Sequence, residues 1–176
     1  MPRTLSAAAP RAVALCVALG VTTLAYAEVL PGDGASFDAP PGWRPVPLQS
    51  ETPTAIFNLC DNGVDDPPDL CRVRAELQIV TYTGEAKPAS LDAMIAGWNA
   101  ATATNVSAPQ RLELGGHEAI ESVTRGERGT HVHGQVYFDS IVVRIGDAYF
   151  GCMTIIEPQD YPVLQGIARD VCASIR

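Results

Sequence analysis

Between Cys71 and about Tyr82, Val73, Ala75, Leu77 and Ile79 alternate with Arg72, Arg74, Glu76 and Gln78. A period of two sends one set toward a core and the other toward solvent, so this segment predicts a half-buried β-strand. The period changes at Ser90. Leu91, Met94, Ile95 and Trp98 fall at i, i+3, i+4 and i+7, the apolar face of a helix running to about Thr102. Ser90 suits the N-cap, and Asp92 suits the positive end of the helix dipole. Alternation then resumes over Arg111–Leu114, Glu118–Arg125, Thr130–Phe138, Ser140–Ile145 and Ala148–Ile156, which predicts five strands. Turns are expected at Gly115-Gly116, at Gly126-Glu127-Arg128-Gly129 and at Gly146-Asp147. A further strand covers Ala55–Leu59. The chain closes on a helix capped by Asp160, with Pro162 in its first turn and a buried stripe of Leu164, Ile167, Ala168, Val171 and Ile175.

The two ends change this picture differently. Pro31–Pro53 is rich in Pro and Gly and reads as an extended lead-in, with a short strand at Ser36-Phe37-Asp38 and Trp43 as an anchor. Ahead of it, Arg3 and Arg11, the apolar run Ala12–Leu24 and Ala25-Tyr26-Ala27 are the three parts of a secretory signal peptide. The run is shorter than the ~20 residues a bilayer span needs, so an anchor is not expected. Leu15 before Cys16 and the apolar chain after it argue against lipidation. Cleavage after Ala27 gives residues 1–27 as signal peptide and 28–176 as a single domain of 149 residues, long enough for a real core. Losing Arg3 and Arg11 leaves 10 basic against 20 acidic residues, a net charge of −10. That charge repels nucleic acid and anionic lipid, so neither a nucleic-acid partner nor stable membrane insertion is expected. A periplasmic or secreted location follows.

Export gives the cysteines a role. Cys60, Cys71, Cys152 and Cys172 make an even count in an oxidising compartment, which predicts two disulfides. Chain proximity favours Cys60–Cys71. Cys152 shares a strand face with Phe150, Thr154 and Ile156, and a helix docked on that face brings Cys172 to it. By chain entropy each bridge adds about 3 kcal/mol. A four-thiolate zinc site ranks below this, because neither pair has the close C-x-x-C spacing such sites favour.

Three features carry candidate chemistry. The loop from Asp61 to Asp69 holds Asp61, Asp65, Asp66 and Asp69, no basic residue, and a bridge fixing its ends. Its spacing is not that of an EF-hand calcium loop. As a constrained anionic knob it is a candidate partner-binding element, pre-organised so that binding orders less chain. His131 and His133 share one face of a predicted strand with Gln135 and Tyr137. They are weak metal candidates, because two ligands do not make a site and His117 or a carboxylate must join them. Catalysis finds no footing. There is no G-x-S-x-G elbow, bridged cysteines leave no thiol, and Glu118 and Glu121 fall on opposite strand faces. The chain reads as a non-enzyme, and no cofactor is expected.

The order of elements, with Phe37, Pro41-Gly42-Trp43, the helix from Ser90 to Trp98, Leu114-Gly115-Gly116-His117-Glu118-Ala119 and Gly146-Asp147-Ala148-Tyr149-Phe150 through Tyr161 to Ser174-Ile175-Arg176, resembles the PsbP-like and DcrB-like superfamily. The resemblance spans most of residues 28–176 and implies an α/β/α sandwich with no shared catalytic residues. The expected fold is α+β: an antiparallel β-sheet sandwiched by an internal helix and a C-terminal helix, with two disulfides. The four cysteines are not part of the family pattern. Members mostly bind other proteins, some in type VI secretion, and some immunity proteins to secreted toxins are similar in fold. The expected function is therefore binding of a protein partner, a basic toxin or an envelope protein. Its sharpest form is an immunity-type inhibitor of a toxin acting in the periplasm. The alternative is a periplasmic metal or small-ligand binding protein.

Overall fold

Ten strands and three helices follow one another in the computed structural model, which describes residues 27–30, 35–48, 54–61, 71–102, 104–129 and 132–176. β1 (Ala27–Val29) and β2 (Ser36–Asp38) form a small ribbon. The main sheet holds β3 (Arg44–Pro45), β4 (Thr54–Cys60), β5 (Val73–Tyr82), β6 (Thr104–Asn105), β7 (Gln110–Leu114), β8 (His117–Gly129), β9 (His133–Ile145) and β10 (Ala148–Ile156). Its order is β3-β4-β5-β10-β9-β8-β6, and every pairing is antiparallel. β7 joins β6 on the outer edge of β8.

Side-chain alternation divides the sheet into two faces. On one, α1 (Leu91–Thr102) sets Leu91, Met94 and Ile95 against Ile120, Val142 and Tyr149. The Ser90 hydroxyl accepts the Ala93 N–H at 3.1 Å, the N-cap its position predicts. Trp98 lies over Gly151, where any Cβ would fall 2.3 Å from the indole ring. On the other face, Leu77, Ile79, Ile141 and Phe150 pack against Ala168, Val171 and Cys172 of α3 (Ile167–Ala173) and against the lead-in residues Phe37 and Trp43. Each large side chain so buried contributes ~1.5–3 kcal/mol. Phe37 meets Phe57 edge-on at 5.7 Å. Ser36 and Arg176 exchange backbone hydrogen bonds of 2.9 and 3.0 Å, so the lead-in lies alongside the last residue.

The antiparallel sheet between an internal and a C-terminal helix is the expected α+β architecture. Several local expectations are corrected. Gly126–Gly129 is not a turn: it continues β8, paired with Val136 to His133. The break expected at Asp139 is absent, and β9 runs through it as one strand. The closing helix is two pieces, α2 (Tyr161–Leu164) and α3, separated at Gly166, whose φ is +90°. Glycine has no Cβ to oppose that left-handed geometry. The break leaves Leu164 and Ile167 only half-buried, while Ala168, Val171 and Ile175 are fully buried. Glu76 was expected to face solvent but is 0% exposed, and its carboxylate accepts a hydrogen bond from Gln78 at 2.6 Å.

Candidate functional site

Both expected disulfides are present. Cys60 ends β4 and Cys71 stands two residues before β5, with Cα atoms 5.2 Å apart. Cys152 in β10 reaches Cys172 in α3 across 6.0 Å between Cα atoms. The helix and the sheet face are thus covalently tied in the middle of the core, where both cysteines are buried.

The first bridge closes the acidic loop, and ion pairs hold the loop's base. The register slips between Leu59, opposite Ala75, and Cys60, opposite Val73, so Arg74 sits in a β-bulge. Its guanidinium lies 3.4 Å from Asp61 and donates to both oxygens of Asp160, the Nε–Oδ2 bond being 3.1 Å. Arg72 adds Asp61 at 3.5 Å and Glu157 at 3.6 Å, and the Asp61 N–H donates to the Arg72 carbonyl at 3.1 Å. Asp160 therefore does not cap α2 with its side chain, which Arg74 has taken. Only its backbone carbonyl serves, accepting the Val163 and Leu164 N–H groups. Asp61 is thereby engaged with two arginines at the loop's base. Asp65, Asp66 and Asp69 lie outside the described residues.

His117 and His133 do not converge. His131 lies outside the described residues, and His133 opens β9 opposite Gly129. His117 opens β8 at its other end, opposite Leu114. The intervening strand puts them roughly 40 Å apart at ~3.3 Å per residue, so His117 is no third ligand for His133. Among the described residues no group of three His, Cys, Asp or Glu is placed to hold a metal ion. Tyr137, expected on the same solvated face, instead stacks on Tyr161 at 4.3 Å between ring centres. Glu118 and Glu121 do point to opposite faces, each paired with an arginine. Arg111 bridges Glu118 and Asp92 at a 140 Å³ recess beside α1. Arg169 of α3 pairs with Glu121.

This second pair borders a feature the sequence did not reveal. Glu121, Val123, Asp139, Tyr161, Gly166 and Arg169 line a recess of 210 Å³ between the sheet and the break separating α2 from α3. Asp139 is 2% exposed. Its Oδ2 accepts the Gly166 N–H at 2.9 Å, while its Oδ1 is buried without a hydrogen-bond partner. Burial pushes the Asp139 pKa up, opposed by the Gly166 hydrogen bond and supported by the nearby Glu121 charge. Burial also pushes the Tyr161 pKa up, with the Asp139 and Glu121 charges adding to it. The available signal was one acid inside the apolar run Tyr137-Phe138-Asp139-Ser140-Ile141-Val142. It reads more readily as a strand break than as a buried carboxylate.

No protein-family model matches the chain, and no curated protein matches it by sequence. Solved structures are similar to it in fold. The cyanobacterial PsbP protein (CyanoP) of Synechocystis superposes with a TM-score of 0.58 at 14% identity, covering 89% of this chain and 95% of that one. The chain has a PsbP-like fold. LpqN of Mycobacterium tuberculosis, described as involved in cell envelope biogenesis, gives a TM-score of 0.48 at 19% identity, covering 82% of this chain and 85% of that one. A Bacteroides thetaiotaomicron protein gives 0.49 at 15% identity over 81% of this chain, which spans only 44% of that protein's length. The PsbP-like core accounts for the sheet and its two helical layers. No helix among the described residues is long and apolar enough to cross a membrane.

Proposed function

We propose that the chain is exported with residues 1–27 removed and works in the bacterial envelope as a non-enzymatic protein that binds a protein partner. The contact surface is the acidic loop between Cys60 and Cys71. The clamped base of that loop carries the reading. A disulfide, a bulge and the Arg72 and Arg74 ion pairs fix both loop ends, which lowers the chain entropy that partner binding must remove. The disulfides and the signal-peptide pattern support an oxidising compartment. The acidic excess favours a basic partner, mainly by speeding association. In its sharpest form the partner is a toxin delivered to the periplasm, and this chain is its immunity-type inhibitor.

The test uses oxidised protein beginning at Glu28 to capture partners from envelope extract, with Asp65→Ala plus Asp66→Ala as the comparison. The captured protein is then purified and titrated calorimetrically against both forms. At least tenfold weaker, salt-sensitive binding by the variant supports the loop as the contact. Equal binding by both forms overturns the loop's role, and the absence of any captured partner overturns the reading as a whole.

A further inference from the structure

We propose that the recess between β8, β9 and the α2–α3 break binds an organic cation, the ammonium or guanidinium head group of a small molecule or of a basic side chain. The inference is independent of the acidic loop, because it rests on the opposite end of the chemistry: a buried acceptor waiting for a donor. Asp139 is 2% exposed and lines a 210 Å³ space, and one of its carboxylate oxygens is buried without a hydrogen-bond partner. A buried polar atom left unpaired is costly, and a carboxylate oxygen more so than a neutral one. A site of this kind is stabilised by whatever fills the space and donates to that oxygen.

The surroundings select the sign of the ligand. The charged side chains facing the space are Asp139, Glu121 and Arg169, and Arg169 is already paired with Glu121. With Asp139 ionised, the lining carries one net negative charge, and at the buried Asp139 carboxylate a cation's attraction is screened less than at an exposed one. An anion meets two carboxylates and no free cationic group among these residues. Tyr161 completes the wall, its ring backed by Tyr137 and that ring by the Arg125 guanidinium at 5.8 Å. An ammonium carries three donors and no acceptor, and a guanidinium five. Either can donate to the unpartnered Asp139 oxygen. Size agrees as well: the space holds several waters or one short alkylammonium.

The experiment follows the Gly166 amide, which donates to Asp139, in nitrogen-15 NMR spectra of oxidised protein at pH 7.5. The probes are n-butylammonium chloride, methylguanidinium chloride and the blocked peptide acetyl-Gly-Lys-Gly-amide, each against sodium chloride at equal ionic strength. The expected result is a saturable shift at Gly166 and Tyr161 with millimolar half-saturation, absent with sodium chloride. Tighter binding of the peptide identifies a protein side chain as the source, and tighter binding of the free amine identifies a small molecule. Asp139→Asn and, separately, Glu121→Gln weaken binding at least tenfold, whereas Asp147→Asn on the exposed β9–β10 turn leaves it unchanged. Binding by the parent also weakens on acidification as Asp139 takes up a proton. That readout stands even if a variant fails to fold. No saturable shift up to 50 mM probe, or equal binding by Asp139→Asn, overturns the proposal and leaves the recess to water.

Discussion

Gly151→Ala adds one methyl group to the middle of β10 and tests the packing that fixes the internal helix. The new Cβ would lie 2.3 Å from Cη2 and 2.7 Å from Cζ2 of Trp98, and 2.7 Å from Cε of Met94. Carbon atoms rest about 3.5–4.0 Å apart, so the ring must retreat by more than about 1 Å. Met94 yields easily, being the end of an unbranched chain, whereas the indole moves only as a rigid unit. Overpacking of this kind costs ~1–3 kcal/mol. Against it, alanine loses less chain entropy than glycine on folding, which returns ~0.4–1 kcal/mol. The net loss is about 1–2 kcal/mol, or roughly 2–8 °C in Tm for a domain of this size. Thermal unfolding followed by circular dichroism measures it. In a Trp98→Ala background the same substitution meets an empty volume and costs nothing, a coupling of at least ~1 kcal/mol between the two sites. An unchanged or raised Tm in the parent background, or the same loss in both backgrounds, refutes the steric argument.

Two further predictions concern the core. Replacing both Cys152 and Cys172 by Ala opens a crosslink spanning 20 residues, about 3.3 kcal/mol by chain entropy. Replacing Cys60 and Cys71 opens one spanning 11, about 2.8 kcal/mol on the same basis. The first pair is also wholly buried, so urea unfolding of the two double variants should show the larger loss for Cys152 and Cys172, and the reverse order would contradict this account. The pH dependence has a definite sign at Asp139, whose folded pKa is raised above 3.8 by burial. Its contribution favours the folded state fully below the unfolded pKa and is lost as pH rises through the folded value. Asp139→Asn stays neutral throughout and keeps an acceptor for the Gly166 N–H, so it should stabilise the protein relative to the parent at pH 7 but not at pH 3. Equal differences at the two pH values, by urea titration, would sink that reasoning.

Elements whose burial repeats without interruption were legible in the sequence. α1 shows its whole apolar stripe in Leu91, Met94, Ile95 and Trp98, and β10 shows the face that carries Cys152, so the second disulfide followed from geometry. Misreadings cluster where a residue's partner is distant in the chain. Asp139 looks like a strand break because the N–H that accommodates it belongs to Gly166, 27 residues later. Asp160 looks like a helix cap because its competing partner, Arg74, is 86 residues away and is turned toward it by a bulge that no local pattern announces. Glu76 keeps strict alternation with its apolar neighbours, yet both faces of β5 are covered at that point, and periodicity alone cannot say so. The Asp139 recess was invisible for the same reason: it exists only where three separated segments meet.

The borders of the sheet limit how anything can attach to it. One border is β3, two residues long and half proline, which lacks an N–H to offer. At the other, β6 and β7 cover β8 at Thr124–Arg125 and at His117–Glu121, and the five-residue outer rim of β7 presents Gln110, Arg111 and Glu113 to solvent. Short, charged and proline-blocked rims resist the addition of a foreign strand, the usual route to sheet-to-sheet aggregation. Over those stretches they also hinder the capture of an extended peptide through main-chain hydrogen bonds, a route many domains use. Along these described rims, contact with another protein runs through side chains, whose identities can be exchanged one at a time without disturbing the scaffold.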